Sequence, residues 1–248
     1  MQPSSELLKL LRERVATVVL TGAGVSAESG IATFRGGTGS LWDKFRPEEL
    51  ASADGFLANP KLVWEWYQWR RRLINEAGPN PGHLALAEME KELPNFTLIT
   101  QNVDNLHQRA GSREVIELHG NIHRNKCQRC AAPFPDVDFE PERLPQCPCG
   151  GSIRPDVVWF GEMLPEAALN LATLRSSKAR LFFSVGTSAV VYPAADLPLI
   201  AKRCGAYLVE INPEETMLTP FADEVFSAPS GSALPEIWRH VRSGIHAS

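Results

Sequence analysis

Short runs of apolar, largely β-branched residues recur along the chain, and between them lie longer stretches with apolar positions three or four apart. The short runs are Val15 to Leu20 (VATVVL), Phe96 to Thr100 (FTLIT), Glu114 to His119 (EVIELH), Val157 to Phe160 (VVWF), Leu181 to Val185 (LFFSV) and Tyr207 to Ile211 (YLVEI). Each has the length of a strand and little polar alternation, which is the pattern of strands covered on both faces. The helical pattern covers Ser5 to Arg14, Pro60 to Glu76, Pro81 to Glu92, Pro165 to Ser176, Ala194 to Arg203 and Pro235 to Arg242. Strands alternating with helices predict an α/β fold with an open, mostly parallel, Rossmann-like sheet.

Two segments break that rhythm. Residues 31–80 carry a Gly-rich loop and a Trp-rich helix, and residues 121–154 carry clustered cysteines and prolines with little apolar periodicity. Both are expected to form one small helical, metal-stapled module inserted into the main sheet. The Rossmann-like domain is then expected from residues 1–30, 81–120 and 155–248. No internal repeat and no low-complexity tract is present.

Composition narrows the class. Of 248 residues, 44% are hydrophobic and 22% charged, so a sizeable core is available and a disordered chain is excluded. Lys and Arg total 25 against 29 Asp and Glu, for a net charge of −4. That balance argues against general nucleic-acid binding, which draws its affinity from neutralised phosphates. No apolar run approaches the roughly 18 residues of a membrane span, and the opening MQPSSELLKLLRER lacks the apolar centre of a signal peptide. A soluble, cytoplasmic protein without a membrane partner is expected, and the short termini favour a monomer.

Four of the five cysteines are paired as Cys127-x-x-Cys130 and Cys147-x-Cys149. In a reducing compartment such a cluster reads as one structural zinc held by four thiolates, with disulfides or inert thiols as the alternative. The second pair is one residue shorter than Cys-x-x-Cys, which bears on the turn more than on the metal. Cys204, in a helical pattern, is expected to be a buried small hydrophobe.

In an open parallel sheet, ligands bind outside the carboxyl ends of the strands. The residues there are Thr21-Gly22-Ala23-Gly24-Val25-Ser26-Ala27-Glu28-Ser29-Gly30, Gln101-Asn102-Val103-Asp104, His119-Gly120, Gly186-Thr187-Ser188 and Asn212. The spacing Gly22, Gly24, Ala27 fits G-x-G-x-x-G/A, although a tight strand–helix turn needs glycines too. Five such ends rich in Gly, Ser, Thr, Asn, Asp and His suit a ribose, phosphate and amide ligand. His119 fits a general base or a structural histidine, and its place at a strand end favours the base. His83 and His107 have no evident partners in the sequence and are read as structural. An ordinary dehydrogenase carries an acidic residue about 20 positions past the glycines, ending a second strand. Counting forward reaches Trp42-Asp43-Lys44, which follows no strand, so hydride transfer fits poorly.

On the helix from Lys61 to Asn75, Val63, Tyr67, Arg70 and Ile74 share one face. Tyr67 and Arg70 lie one turn apart, and a hydroxyl beside a guanidinium suits a carboxylate. By spacing alone, a Trp-rich core stripe (Trp64, Trp66, Trp69) with a solvated Arg70–Arg72 run is the favoured reading of the segment.

The ordered set TGAGVSAESGIATFRG, TQNVDNLH, IELHG, the paired cysteines, RPDVVWFGE, VGTSAVVYPAA and EINPEE resembles the sirtuins, over nearly the whole chain. That resemblance implies an NAD-dependent protein-lysine deacylase of the bacterial and archaeal type, close to the desuccinylase branch, with NAD as co-substrate and a structural zinc. It implies that Gly22, Ala23, Gly24, Ser26, Ser29, Gly30, Ile31 and Phe34, with Arg35, wrap the pyrophosphate and nicotinamide ribose. Gln101, Asn102 and Asp104 would hold ribose and nicotinamide, with Asn102 also in the chemistry. Gly186, Thr187, Ser188, Asn212, Pro213 and Glu214 would hold the adenosine half. His119 would be the base that helps deprotonate a ribose hydroxyl once the acyl oxygen has displaced nicotinamide. Val157, Trp159 and Phe160 resemble the strand that pairs with the acylated peptide substrate. A Tyr-x-x-Arg pair, Tyr67 and Arg70, together with the small Ala51, marks sirtuins that remove succinyl, malonyl and glutaryl groups. Desuccinylation with some deacetylation is expected, yielding nicotinamide, O-acyl-ADP-ribose and free lysine. Three competing readings are a non-catalytic NAD or acyl-lysine sensor, a protein mono-ADP-ribosyltransferase and a zinc-ribbon nucleic-acid module.

Overall fold

Among the described residues, nine strands follow in chain order: β1 (Thr17–Thr21), β2 (Phe96–Thr100), β3 (Val115–Glu117), β4 (Gly120–Cys127), β5 (Pro133–Phe134), β6 (Ile153–Val157), β7 (Leu181–Val185), β8 (Tyr207–Ile211) and β9 (Glu224–Phe226). They belong to a computed structural model whose described residues are 2–31, 47–134 and 144–245. The helices are α1 (Ser5–Arg12), α2 (Ala23–Ala27), α3 (Pro47–Leu50), α4 (Ala53–Ala58), α5 (Pro60–Glu76), α6 (Pro81–Glu92), α7 (Leu106–Ala110), α8 (Glu166–Ser177), α9 (Leu197–Arg203) and α10 (Ser230–Ile245).

Six strands pair in the order β3-β2-β1-β7-β8-β9. Every pairing is parallel. Side chains alternate across the sheet, so each strand feeds two cores. Val19, Leu98, Phe183 and Val209 pack on one face with Leu7 and Leu11 of α1, Leu86 and Met89 of α6, and Leu234 and Trp238 of α10. Val18, Leu20, Ile99, Phe182 and Leu208 pack on the other with Ala172 of α8 and Leu197 and Ala201 of α9. This is the three-layer arrangement the apolar runs predict.

Register brings the strand ends level. Thr21 pairs with both Thr100 and Val185, Thr100 with Glu117, and Val185 with Ile211. The strand order reverses at β1, which opens a crevice there.

The second sheet has three antiparallel strands, β5-β4-β6. Its core gathers Phe56, Val63, Trp64, Trp66, Tyr67, Ile74, Ile122, Ile153, Val157 and Trp159. The Trp64 indole donates to the Ile153 carbonyl at 3.0 Å, which ties α5 to β6.

Three local expectations change. The strand expected at Val157–Phe160 instead runs Ile153–Val157, because pairing with β4 outweighs local apolarity and keeps Arg154 inside the strand. Helix α10 starts at Ser230, five residues before the expected Pro235. Its early start is fixed by the distant Glu28 carboxylate, which accepts the Gly231 N–H at 2.8 Å. Cys204 is exposed rather than buried, since it ends α9 where Ala201 and Ala206 take the inner positions.

Candidate active site at the carboxyl edge of the sheet

The loops after β1 and β7 touch backbone to backbone. Gly24 N–H donates to the Gly186 carbonyl at 2.9 Å, and Gly22 N–H donates to the Val185 carbonyl at 3.1 Å. A Cβ on Gly22 would lie 2.7 Å from the Gly186 oxygen, and one on Gly186 would lie 2.5 Å from the Val25 nitrogen. Gly186 also has φ +59°, a conformation that favours glycine. These glycines therefore close the crevice floor as well as leave room for a ligand. Beyond them, Ala23 and Gly24 start the short α2, Gly30 turns the chain with φ +81°, and Ile31 packs against the small module's core. Phe34 and Arg35 lie outside the described residues.

Behind that floor runs a buried polar chain. Asn102 Nδ2 donates to the Gly22 carbonyl at 3.0 Å and to Ser26 Oγ at 3.1 Å. Ser26 in turn donates to Asp104 Oδ2 at 2.7 Å. Asp104 Oδ1 accepts the Leu106 N–H at 2.9 Å, which fixes the carboxylate at the start of α7. Asn80, which caps the N-terminus of α6, anchors the same loop, donating to the Val25 carbonyl at 2.7 Å and to Ser29 Oγ at 3.0 Å. The two histidines expected to stand without partners are part of this chain. His83 Nδ1 accepts the Asn80 N–H, and its Nε2 lies 3.5 Å from Ser26 Oγ. His107 Nε2 is 2.9 Å from Thr21 Oγ1, and the two rings lie 4.8 Å apart. Burial lowers the pKa of both, that of His107 to about 3, so both stay neutral.

His119 follows β3 and is half-buried. Its Nδ1 is 2.8 Å from the Gln101 carbonyl. A carbonyl only accepts, so Nδ1 carries the proton and Nε2 is left as the basic nitrogen. Burial lowers its pKa below 6.5 despite that hydrogen bond, leaving a neutral base near pH 7.

On the other side of the switch, Thr187 is buried and its hydroxyl meets Ser184 Oγ at 2.8 Å, while Ser188 is exposed. Asn212 Nδ2 donates to the Thr187 carbonyl at 3.3 Å, joining the loops after β7 and β8. Pro213 and Glu214 are exposed beside it. The sequence reading missed what holds this loop. Buried Glu210 of β8 accepts the hydroxyls of Thr216 and Thr219. The EINPEETMLT spacing, a carboxyl followed by two threonines, was the available signal.

The small module borders the loop after β2. Tyr67 is 2% exposed, and burial pushes its pKa up to about 12. Arg70 sits over the Trp66 ring at 4.9 Å. Burial lowers its pKa, while Tyr67 and Asp104 both act on it electrostatically in the opposite direction. Arg71 does not join the solvated run: it donates to the Ile122 carbonyl and Asn125 Oδ1, both at 2.6 Å. Ala51 is buried, and its carbonyl accepts the Phe160 N–H at 2.9 Å. Val157 and Trp159 are buried and Phe160 is 49% exposed.

The sulfurs of Cys127, Cys130, Cys147 and Cys149 all lie within 4.8 Å of one another. Three separations are 3.5, 3.6 and 3.7 Å. A tetrahedron with metal–sulfur bonds of about 2.3 Å has edges of about 3.8 Å, so the set fits one structural zinc. Gly151 makes room for the shortened pair, since a Cβ there would lie 2.7 Å from Cys127 Sγ.

Residues 22–193 match the Sir2 family. The chain belongs to the Sir2 family. The NAD-dependent protein deacylase of Aquifex aeolicus is 54% identical over 237 residues, covering 93% of this chain and 97% of that one. The enzyme of the same description from Pyrococcus furiosus is 50% identical over 246 residues, covering 96% and 97%. Among solved structures, a Sir2 homolog–NAD complex matches with TM-score 0.91 and 48% identity, over 98% of this chain and 96% of that one. A Sir2–p53 peptide–NAD+ structure matches with TM-score 0.81 and 37% identity over 100% of both.

The Sir2 match spans the loops that follow β1 to β7 and the cysteine cluster, and stops before Asn212. No described helix is long and apolar enough to cross a membrane.

Proposed function

We propose that this Sir2-family chain is an NAD-dependent protein-lysine deacylase that removes succinyl and malonyl groups, and also acetyl groups, from lysine side chains. The products are free lysine, nicotinamide and O-acyl-ADP-ribose. Relatives of that general activity at 50–54% identity support the reaction class. The observation that carries the acidic-acyl assignment is Arg70. It sits one turn from Tyr67 on α5 and within electrostatic reach of Asp104 in the loop after β2.

Bound NAD supplies a ribosyl group with nicotinamide as its leaving group. The chain's own residues divide the remaining work. The loop from Gly22 to Ile31 wraps the phosphates, and Gly186, Thr187, Ser188, Asn212, Pro213 and Glu214 take the adenosine end. Asp104, oriented by Ser26 and Leu106 N–H, accepts from the nicotinamide carboxamide, while Gln101 and Asn102 hold the ribose. His119 Nε2 takes the proton of a ribose hydroxyl, with Nδ1 held by the Gln101 carbonyl. Burial of this edge keeps water from an electron-poor sugar centre. Val157, Trp159 and Phe160 line the peptide path, and Ala51 leaves space for the acyl chain. Arg70 and the Tyr67 hydroxyl bind its distal carboxylate. Cys127, Cys130, Cys147 and Cys149 would hold a structural zinc, which would stabilise the small module's fold and leave the reaction to the sheet edge.

Mass spectrometry of one peptide carrying succinyl-lysine or acetyl-lysine, with and without NAD, tests this. Succinyl loss should require NAD and fall about 10- to 100-fold in Tyr67→Phe and Arg70→Met, as loss of one charge-assisted bond predicts. Acetyl loss should persist in both. Equal loss of the two groups, untouched by either variant, would keep a deacylase and remove the acidic-acyl assignment.

A further inference from the structure

Trp159 and Tyr67 are both 2% exposed, and the indole Nε1–H of Trp159 donates to Tyr67 Oη at 2.7 Å. An indole N–H can only donate, so the phenol oxygen is the acceptor of this bond and its own proton is left to point elsewhere. The ring positions are fixed from several sides. Phe56 and Trp159 lie 5.2 Å apart, and Trp66 meets Tyr67 edge-on at 4.4 Å. Above Trp159 sits Arg154, its guanidinium carbon 3.4 Å from the ring centroid. Arg154 is 1% exposed, bonds Glu162 through two nitrogens at 2.6 and 2.8 Å, and donates to the Val157 carbonyl at 2.6 Å. Glu162 also accepts the Trp159 backbone N–H at 2.9 Å. A cation on the ring face draws electron density from the indole and strengthens its N–H as a donor. The result is a directed chain from Glu162 through Arg154 and Trp159 to the Tyr67 hydroxyl.

We propose that Trp159, braced by Arg154 and Glu162, is a positioning residue for acyl selectivity: by filling a lone pair of Tyr67 it commits the phenol to act as a donor beside Arg70. The pair then presents only hydrogen-bond donors, which matches a carboxylate and gives nothing to the methyl of an acetyl group. This rests on the reading of Tyr67 and Arg70 as the carboxylate-binding pair. The plainer account is that a buried indole N–H needs some acceptor and Tyr67 serves. The two accounts differ in what they predict for two acyl chains. Loss of a merely structural bond harms both substrates in proportion, whereas loss of an orienting bond harms the succinyl substrate more.

The test is kcat/KM for succinyl- and acetyl-lysine forms of one peptide at saturating NAD, for wild type, Trp159→Phe, Tyr67→Phe and the double variant. The succinyl-to-acetyl ratio should fall about five- to tenfold in Trp159→Phe, the size of one hydrogen bond, chiefly through KM for the succinyl peptide. Tyr67→Phe should lower it at least as far, and the double variant no further, because the indole then has no hydroxyl to orient. Glu162→Gln, which loosens Arg154 and leaves both ring side chains in place, should lower the ratio about twofold. If Trp159→Phe fails to fold, Glu162→Gln decides, and an unchanged ratio there overturns the proposal. A proportional loss for both acyl groups in Trp159→Phe, or additive losses in the double variant, overturns it as well. A ratio that responds to Tyr67→Phe but not to Trp159→Phe removes this inference and leaves the carboxylate pocket standing. Failure of the wild type to remove succinyl, or indifference of the ratio to Tyr67→Phe, removes both.

Discussion

Around the parallel sheet the buried side chains are mostly aliphatic, such as Val18, Val19, Leu20, Leu98, Ile99 and Val209. Around the three-stranded sheet they are Phe56, Trp64, Trp66, Tyr67 and Trp159, with Cys127 and Cys147 among them. Aliphatic side chains ask for no hydrogen-bond partner, so the large core can be packed by pattern and its polar chemistry confined to loops at one edge. Aromatic side chains with N–H or O–H groups each need a partner when buried. Trp64 finds the Ile153 carbonyl and Trp159 finds Tyr67, so two indoles of the small core are tied by hydrogen bonds inside it. A core of that kind can double as a recognition surface. The proposed function divides the labour between the two regions, with NAD chemistry at the sheet edge and acyl choice in the small module.

The largest expected effect separates the two regions physically. A four-cysteine zinc site contributes about 10 kcal/mol of folding free energy to a small module, so chelation should melt the module while the parallel sheet persists. Near-UV circular dichroism from Trp64, Trp66 and Trp159 should collapse while most of the far-UV signal remains. Simultaneous loss of both signals would mean that the two cores fold as one unit.

His119→Ala comes next, with kcat falling about 10²- to 10⁴-fold for both acyl groups and NAD affinity by calorimetry little changed. Selective loss for one acyl group would move His119 out of the shared chemistry. Gly186→Ala acts on the floor of the crevice. A Cβ 2.5 Å from the Val25 nitrogen at φ +59° should cost about 2–4 kcal/mol in denaturant unfolding and raise KM for NAD. An unchanged KM for NAD would mean that the glycine interlock does not shape the cofactor site.

Proton linkage is the smallest effect. His119 must be neutral to accept a proton, and burial holds its pKa below 6.5, so activity should fall only as pH drops through that lowered value. The acid limb of the kcat profile should therefore have its midpoint below 6.5. A midpoint above it would mean that a charged neighbour, not burial, sets the base.

What could be read from the sequence follows the same division. Pro60–Glu76 and Pro81–Glu92 were legible to the residue, because Asn59-Pro60 and Asn80-Pro81 supply a capping side chain and a pre-set first turn. Phe96–Thr100, Leu181–Val185 and Tyr207–Ile211 were equally plain as apolar runs. In the small module, β4 reads GNIHRNKC and β6 reads IRPDV, and neither carries an apolar run. Those strands exist because they pair with each other and cover aromatic residues distant in sequence. The residue types that line the candidate site were legible at the strand ends. Their connections were not: Asn80 reaching Val25, His83 meeting Ser26 and Glu210 clamping Thr216 and Thr219 are products of folding rather than of spacing.

The division of labour is tested most directly by the ratio of succinyl to acetyl kcat/KM on one peptide, measured for wild type, His119→Ala and Arg70→Met. The account predicts that His119→Ala lowers both rates and leaves the ratio near the wild-type value, while Arg70→Met drops the ratio at least tenfold. A ratio that shifts with His119→Ala, or stays fixed in Arg70→Met, would contradict it.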